Sequence, residues 1–209
     1  EVSAKRKREY LRCPIDSLSL LGIDPAKVET CILTHLHYDH VGSFHKLPAA
    51  TFHLQEKEMN YATGRFMRFP KLSHAFEVED VCGIVRMNFA HRVMFHQGRA
   101  EIASGIEVIP AGGHSAGLQF VKVFTKRGWV ILASDVTHFF ENMKTGRPFS
   151  TAFHVGEMLE GFEVLRLEAS GDDSRIVPGH DPQVMDLYPA YSETTKGIIV
   201  RLDGEPSKA

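Results

Sequence analysis

"LTHLHYDHVG", Leu33 to Gly42, sets His35, His37, Asp39 and His40 within six consecutive residues. The stretch that leads into it, "VETCILT", Val28 to Thr34, is short and rich in β-branched residues, which predicts a buried strand that delivers the histidines at its end. On such a strand end His35 and His37, two positions apart, face one side roughly 6.7 Å from each other, a span that two imidazoles can close on one ion. Asp39 and His40 follow in the turn, where the chain bends and re-aims them toward a second, neighbouring position. Imidazole and carboxylate together favour zinc or a similar first-row metal and do not suggest calcium. Any one of these residues alone reads as a polar loop residue; all four at this spacing read as a metal site.

Composition limits what such a site can serve. At 209 residues, 43% hydrophobic and 24% charged, the chain fits one globular domain with a substantial core. A net charge of -2 gives no basic field of the kind that grips nucleic acid, so nucleic acid is not an expected partner. No apolar run is long enough to span a bilayer, and "EVSAKRKREY" carries charge where a signal peptide needs an apolar segment. The expectation is a cytoplasmic protein with no membrane partner. Cys13, Cys31 and Cys82 are odd in number, far apart and without a C-x-x-C pair, so they read as buried or half-buried thiols. The run Lys5 to Arg8 reads as solvated surface.

Along the chain the texture alternates α and β without internal repeats. A helix is predicted from Asp16 to Leu21, closed by Gly22, and strands at Ala50 to Leu54 and in "GIEVIPA", "LQFVKVFT", "GWVILASD" and "RIVPGHD". "QEKEMNYATG" reads as a helix ending near Gly64, and Val78 to Phe89 as another. In "FHVGEMLEGFEVLRLEASG" the residues Val155, Met158, Leu159, Phe162, Leu165 and Leu167 recur near a 3.6 period, which predicts the strongest helix of the chain. The polar segment 192–209 is expected to be a loosely held tail.

"THLHYDHVG" resembles the H-x-H-x-D-H signature of the metallo-β-lactamase-fold hydrolases, and the remaining ligand contexts of that family occur in order. "AGGHSAGLQF" supplies His114 in a Gly-rich turn, "WVILASD" supplies Asp135 at the end of a buried strand, and "IVPGHD" supplies His180 in a turn. The match runs from Thr30 to Asp181, about three quarters of the chain. The resemblance implies an α/β (α+β) fold, an αββα sandwich with the metals at one edge between its sheets. It further implies that His35, His37 and His114 bind one metal, that Asp39, His40 and His180 bind the other, and that Asp135 bridges them. Two zinc ions per chain are expected, with manganese or iron accepted by the same ligand mixture. A hydroxide held between two ions is the expected nucleophile, and Asp39 beside it would orient it or carry its proton. Gly112, Gly113 and Gly179 are expected to let the backbone turn tightly around the site. His45, His53, His74, His91, His96 and His154 match no family position and read as structural or exposed.

Within the superfamily, "LQFVKVFTKRGWVILASDVTHFFENM" and "IVPGHDP" look most like the N-acyl homoserine lactonase branch, whose members act in quorum quenching. The implied activity is a metal-dependent hydrolase opening a lactone or small ester, with Phe139, Phe140, Met143 and Phe149 lining a groove for an acyl chain. Well-known lactonases of the branch carry a tyrosine three residues after the bridging aspartate. Here that position is His138, whose imidazole is expected to donate the hydrogen bond to the substrate instead. A glyoxalase II-like thioesterase shares every ligand, and a non-hydrolytic di-metal redox or regulatory protein is a further alternative. The expected partner is thus a small-molecule lactone or ester, with a homodimer open. Members of the fold begin with strands well before the histidine motif, whereas 34 residues precede His35, so strands of the first sheet are expected to lie ahead of Glu1.

Overall fold

Period-two alternation in Gly128–Ser134 splits its side chains between two clusters and makes that strand a middle layer of the fold. Ile131 and Ala133 join Leu118, Phe120, Phe162 and Leu165 in one buried cluster, while Val130 packs with Val177 and Tyr188 in another. The computed structural model describes residues 11–207. Its elements run α1 (Pro14–Ser17), β1 (Thr30–Ile32), α2 (Tyr38–Val41), β2 (Thr51–Gln55), α3 (Glu56–Ala62), α4 (Pro70–Ser73), α5 (Val78–Phe89), β3 (Val93–His96) and β4 (Ala100–Ala103). They continue with β5 (Ile106–Pro110), β6 (Gln119–Thr125), β7 (Gly128–Ser134), α6 (Phe140–Thr145), α7 (Val155–Glu168), β8 (Ile176–Pro178) and α8 (Gln183–Leu187). The basic run Lys5 to Arg8 lies outside the described residues.

One sheet has the order β1-β2-β3, all parallel, and the other β4-β5-β6-β7-β8, antiparallel except for the β7–β8 pair. Phe52 and Leu54 of β2 point into a cluster with Val81 and Ile84 of α5, which covers the outer face of the first sheet. On the second sheet α7 does the same through Phe162 and Leu165, each worth about 1.5–3 kcal/mol of burial. Between the sheets the contacts are partly polar. Fully buried Gln119 donates its backbone N–H to Thr34 and its side-chain amide to Leu33, and accepts from Gln55. Beside this polar seam the sheets part around an apolar cleft of about 710 Å³, lined by Ile32, Ile102, Ile106, Val121, Val123 and Leu132. The result is the expected α/β sandwich, with helices outside and two sheets within. Among the described residues no helix is long and apolar enough to cross a membrane.

Several elements differ from the sequence reading. The first strand stops at Ile32, so the histidines ride a loop and the one-turn helix α2 rather than a strand end. Helix α5 occupies the predicted span, and α7 starts where His154 Nδ1 accepts from the Glu157 N–H. Its buried face is narrower than the apolar pattern: Met158, Phe162 and Leu165 are inside, while Val155, Leu159 and Leu167 are exposed. Strands β3 and β4 were not foreseen; "AEIA" is alanine-rich, and its pairing with β5 comes from the tight turn at Gly105 (φ 74°). The segment after Tyr191, expected as a loose tail, folds back: Val200 bridges to Ala190, and Val200 and Leu202 pack against Val130, Val177 and Tyr188.

Candidate metal centre

The loop after β1 is held at successive residues. Leu33 N–H donates to His53, Leu36 N–H to Glu58 Oε1 and Tyr38 N–H to Ala75. With the backbone pinned, the imidazoles of His35 and His37 turn inward and their Nε2 and Nδ1 atoms come to 3.0 Å. His114 enters from the turn after β5. At Gly113 φ is 82°, and a Cβ there would lie 2.5 Å from Met158 N, so only glycine lets this turn close against α7. His114 Nδ1 must donate to the Thr151 carbonyl at 2.8 Å, which leaves the Nε2 lone pair aimed at the centre, 2.9 Å from His37 Nδ1.

Asp135 follows β7, directly after Ser134, which takes a left-handed φ of 49°. Its two oxygens face two groups of residues. Oδ2 lies 3.1 Å from His114 Nε2, 3.1 Å from His138 Nε2 and 3.9 Å from His35 Nε2. Oδ1 lies 3.2 Å from both His40 Nε2 and His180 Nε2. His180 Nε2 is in turn 3.9 Å from Asp39 Oδ2. The turn bearing His180 is hung on backbone bonds from Gly179 to Thr137 and from His180 to His138. A Cβ on Gly179 would meet Ser134 O at 2.7 Å and Asp135 Oδ1 at 3.0 Å, so this turn also needs glycine to reach the aspartate.

The two groups differ in exposure. Side chains of His35, His114 and Asp135 are at most 3% exposed, whereas those of Asp39 and His180 are 33% and 35% exposed. Burial pushes His35 well below the usual histidine range and His37 down to about 2, with neighbouring imidazoles adding to the effect, so both are neutral with free lone pairs. Burial alone would raise Asp135, but the facing imidazoles of His114, His138, His180 and His40 outweigh it and hold the carboxyl far below its ordinary range. The neutral nitrogens of His35 and His37 thus stand beside an ionised carboxylate, and imidazole with carboxylate is the donor set of a zinc-like cation.

Fit to a metal can be tested on the buried atoms themselves. His40 Nε2 and Asp135 Oδ1 are buried, close together and yet without a hydrogen bond. Nitrogen and oxygen ligands about 2.0–2.2 Å from one ion stand roughly 3 Å from each other, which is the spacing seen throughout this cluster. Donor atoms of His35, His37 and His114, of His35, His40 and Asp135, and of Asp39, His40 and His180 each converge within 4.8 Å. The residues fit the group.

A cavity of about 270 Å³ opens onto the cluster, walled by Tyr38, His74, Ala75, Phe139, Phe149 and Thr151. His138 is wedged there, stacked on Phe149 at 4.0 Å and facing His180 at 5.0 Å. Of the four residues expected to line a groove, Phe139 and Phe149 do so. Phe140 and Met143 do not: they line a separate apolar hollow beside Ile176, and Met143 belongs to the core. His74 is exposed, as expected, and also borders the cavity. Sequence reading also passed over Glu58, a fully buried carboxylate that touches both the His35–His37 loop and the His114 turn. Its only local signal was an acidic residue in the first turn of a helix, which is unremarkable.

Known proteins share the family and the fold of this chain. The family model described as Metallo-beta-lactamase superfamily matches residues 2–180. N-acyl homoserine lactonase AttM of Azorhizobium caulinodans is 27% identical over 198 residues, covering 86% of this chain and 66% of the relative. N-acyl homoserine lactonase AiiA of Bacillus thuringiensis subsp. kurstaki is 24% identical over 168 residues, covering 80% of this chain and 61% of the relative. The chain thus spans just under two thirds of the length of these curated relatives. Among solved structures, an N-acyl homoserine lactone hydrolase with the product N-hexanoyl-L-homoserine at its catalytic metal centre superposes with TM-score 0.68 at 23% identity, over 82% of this chain and 63% of the other. The dizinc quorum-quenching lactonase AidC superposes with TM-score 0.64 at 16% identity, over 80% of this chain and 62% of the other. On the family match and the shared fold, the chain belongs to the metallo-beta-lactamase superfamily.

Proposed function

We propose that this protein is a metal-dependent hydrolase that opens a lactone or small ester, with two zinc ions as its cofactor. The observation that carries the reading is the position of Asp135, whose two oxygens face two separate histidine groups at 3.1 and 3.2 Å. His35, His37 and His114 would hold one ion, Asp39, His40 and His180 the other, and Asp135 both. When bound, the ions would supply Lewis acidity toward an ester carbonyl and bring the pKa of water near neutrality.

The chain's own groups supply the rest. Asp39, one third exposed on the cavity wall, would take a proton from the attacking water and return it to the leaving alkoxide. His138 lines the cavity with its ring stacked on Phe149, and its imidazole, on turning its N–H from Asp135 to the substrate, would donate a hydrogen bond to the carbonyl or leaving oxygen. Phe139 and Phe149 form an apolar wall that excludes water and takes the hydrocarbon part of the substrate. A cavity of about 270 Å³ suits a small ring and not a polymer. The names of the relatives support lactones as the class to assay first.

The test is a panel of lactones, thioesters and phosphodiesters assayed after the metal content of the protein has been measured. Two metals per chain and hydrolysis of at least one lactone are expected. A metal-replete protein that hydrolyses none of the panel overturns the reading.

A further inference from the structure

Glu58 has no role in the chemistry above, yet it is 0% exposed and its side chain is among the larger ones sealed in the protein. Its three partners come from two different loops. Oε1 accepts from Leu36 N–H at 3.0 Å, between His35 and His37. Oε2 accepts from Ser115 Oγ at 2.6 Å and from Gly117 N–H at 2.9 Å, just past His114. One rigid carboxylate thus spans the two loops whose imidazoles meet at 2.9 Å.

The backbone around it is equally close. A Cβ on Gly117 would lie 2.1 Å from Glu58 N, so the start of α3 sits directly on the His114 turn. Among the described residues no lysine or arginine pairs with Glu58, and its hydrogen bonds come from two backbone N–H groups and one hydroxyl. A buried carboxylate with three neutral donors costs more to bury than an amide or an apolar residue of the same size would. Stability alone does not account for its choice, whereas fixing two ligand loops against each other does.

We infer that Glu58 is a positioning residue that sets the separation of the His35–His37 loop from the His114 turn, and so the metal affinity of that inner position. The inference rests on the metal-binding reading given above. Groups that orient metal ligands from behind typically carry 10–100-fold in metal affinity when removed. Glutamine tests this well: its NH2 would face either Leu36 N–H or the Ser115–Gly117 pair, setting donor against donor.

The experiment compares wild type, Glu58→Gln and Ser115→Ala by chelator competition for zinc, by the visible spectrum of the cobalt-substituted protein, and by the melting temperature of each metal-free protein. For Glu58→Gln we expect one of the two zinc equivalents to weaken about 10–100-fold, with a changed cobalt spectrum. For Ser115→Ala, which keeps the carboxylate and both backbone donors, the same equivalent weakens by less. A lower melting temperature with zinc affinity and cobalt spectrum both unchanged overturns the inference, since that is what a purely structural Glu58 would give. If Glu58→Gln does not fold, unchanged affinity and spectrum in Ser115→Ala overturn it. A wild-type protein that takes up no zinc overturns the metal-binding reading itself.

Discussion

His138 shows how much a single ring position can decide. Its Nε2 lies 3.1 Å from Asp135 and its face is stacked on Phe149, so the imidazole is both aimed and immobilised. Burial lowers its pKa, which keeps it neutral and able to donate from one nitrogen only. His138→Phe keeps the stack and removes the donor. Steady-state kinetics on the best lactone should then show kcat down about 10²–10³-fold with bound metal unchanged, and an unaltered kcat would rule out the donor role. The histidines and aspartates of the centre were legible in the sequence because each group sits in its own short motif. Glu58 was not, because its meaning lies in partners 22, 57 and 59 positions away.

At the scale of elements, the sequence was clearest where one period ran long enough to dominate. Strands β5, β6 and β7 lie within a residue of their apolar runs, and helix α5 fills the predicted Val78–Phe89 although its mixed sequence has no dominant period. It was least clear for β3 and β4, whose short, mixed stretches become strands only through their neighbours β2 and β5. Helix α7 separates pattern from packing. Six apolar residues share its periodicity, but the sheet takes up Phe162 and Leu165, Met158 is buried against the Gly113 turn, and Leu167 is left at 76% exposure. Phe162→Ala should therefore cost about 3–5 kcal/mol in denaturant unfolding, against less than about 0.5 for Leu167→Ala. Equal effects would mean that the helix is packed by another face.

For the whole molecule, the cluster of buried imidazoles couples folding to acidity. His35 and His37 are held below 6.5, their unfolded value, so as pH falls the unfolded chain binds protons that the folded one refuses. Stability of the metal-free protein is thus complete above about pH 7 and declines below 6.5, by about 1.4 kcal/mol per pH unit for each histidine kept neutral. Asp135, depressed from 3.8, adds its own loss only as the pH falls below that value. Melting temperatures of the metal-free protein between pH 7.5 and 5 should fall steadily, and a flat profile would contradict the burial of these rings.

The unequal exposure of the two halves of the centre has a consequence in time. An ion held by His35, His37 and His114 would be sealed behind side chains almost without solvent contact, while one held by Asp39, His40 and His180 would sit at the open mouth. Water and competing ligands meet the outer donors directly, whereas they approach the inner position only along the side of His37 and His114 that borders the cavity. Two ions held in this way would exchange at different rates, the outer one faster.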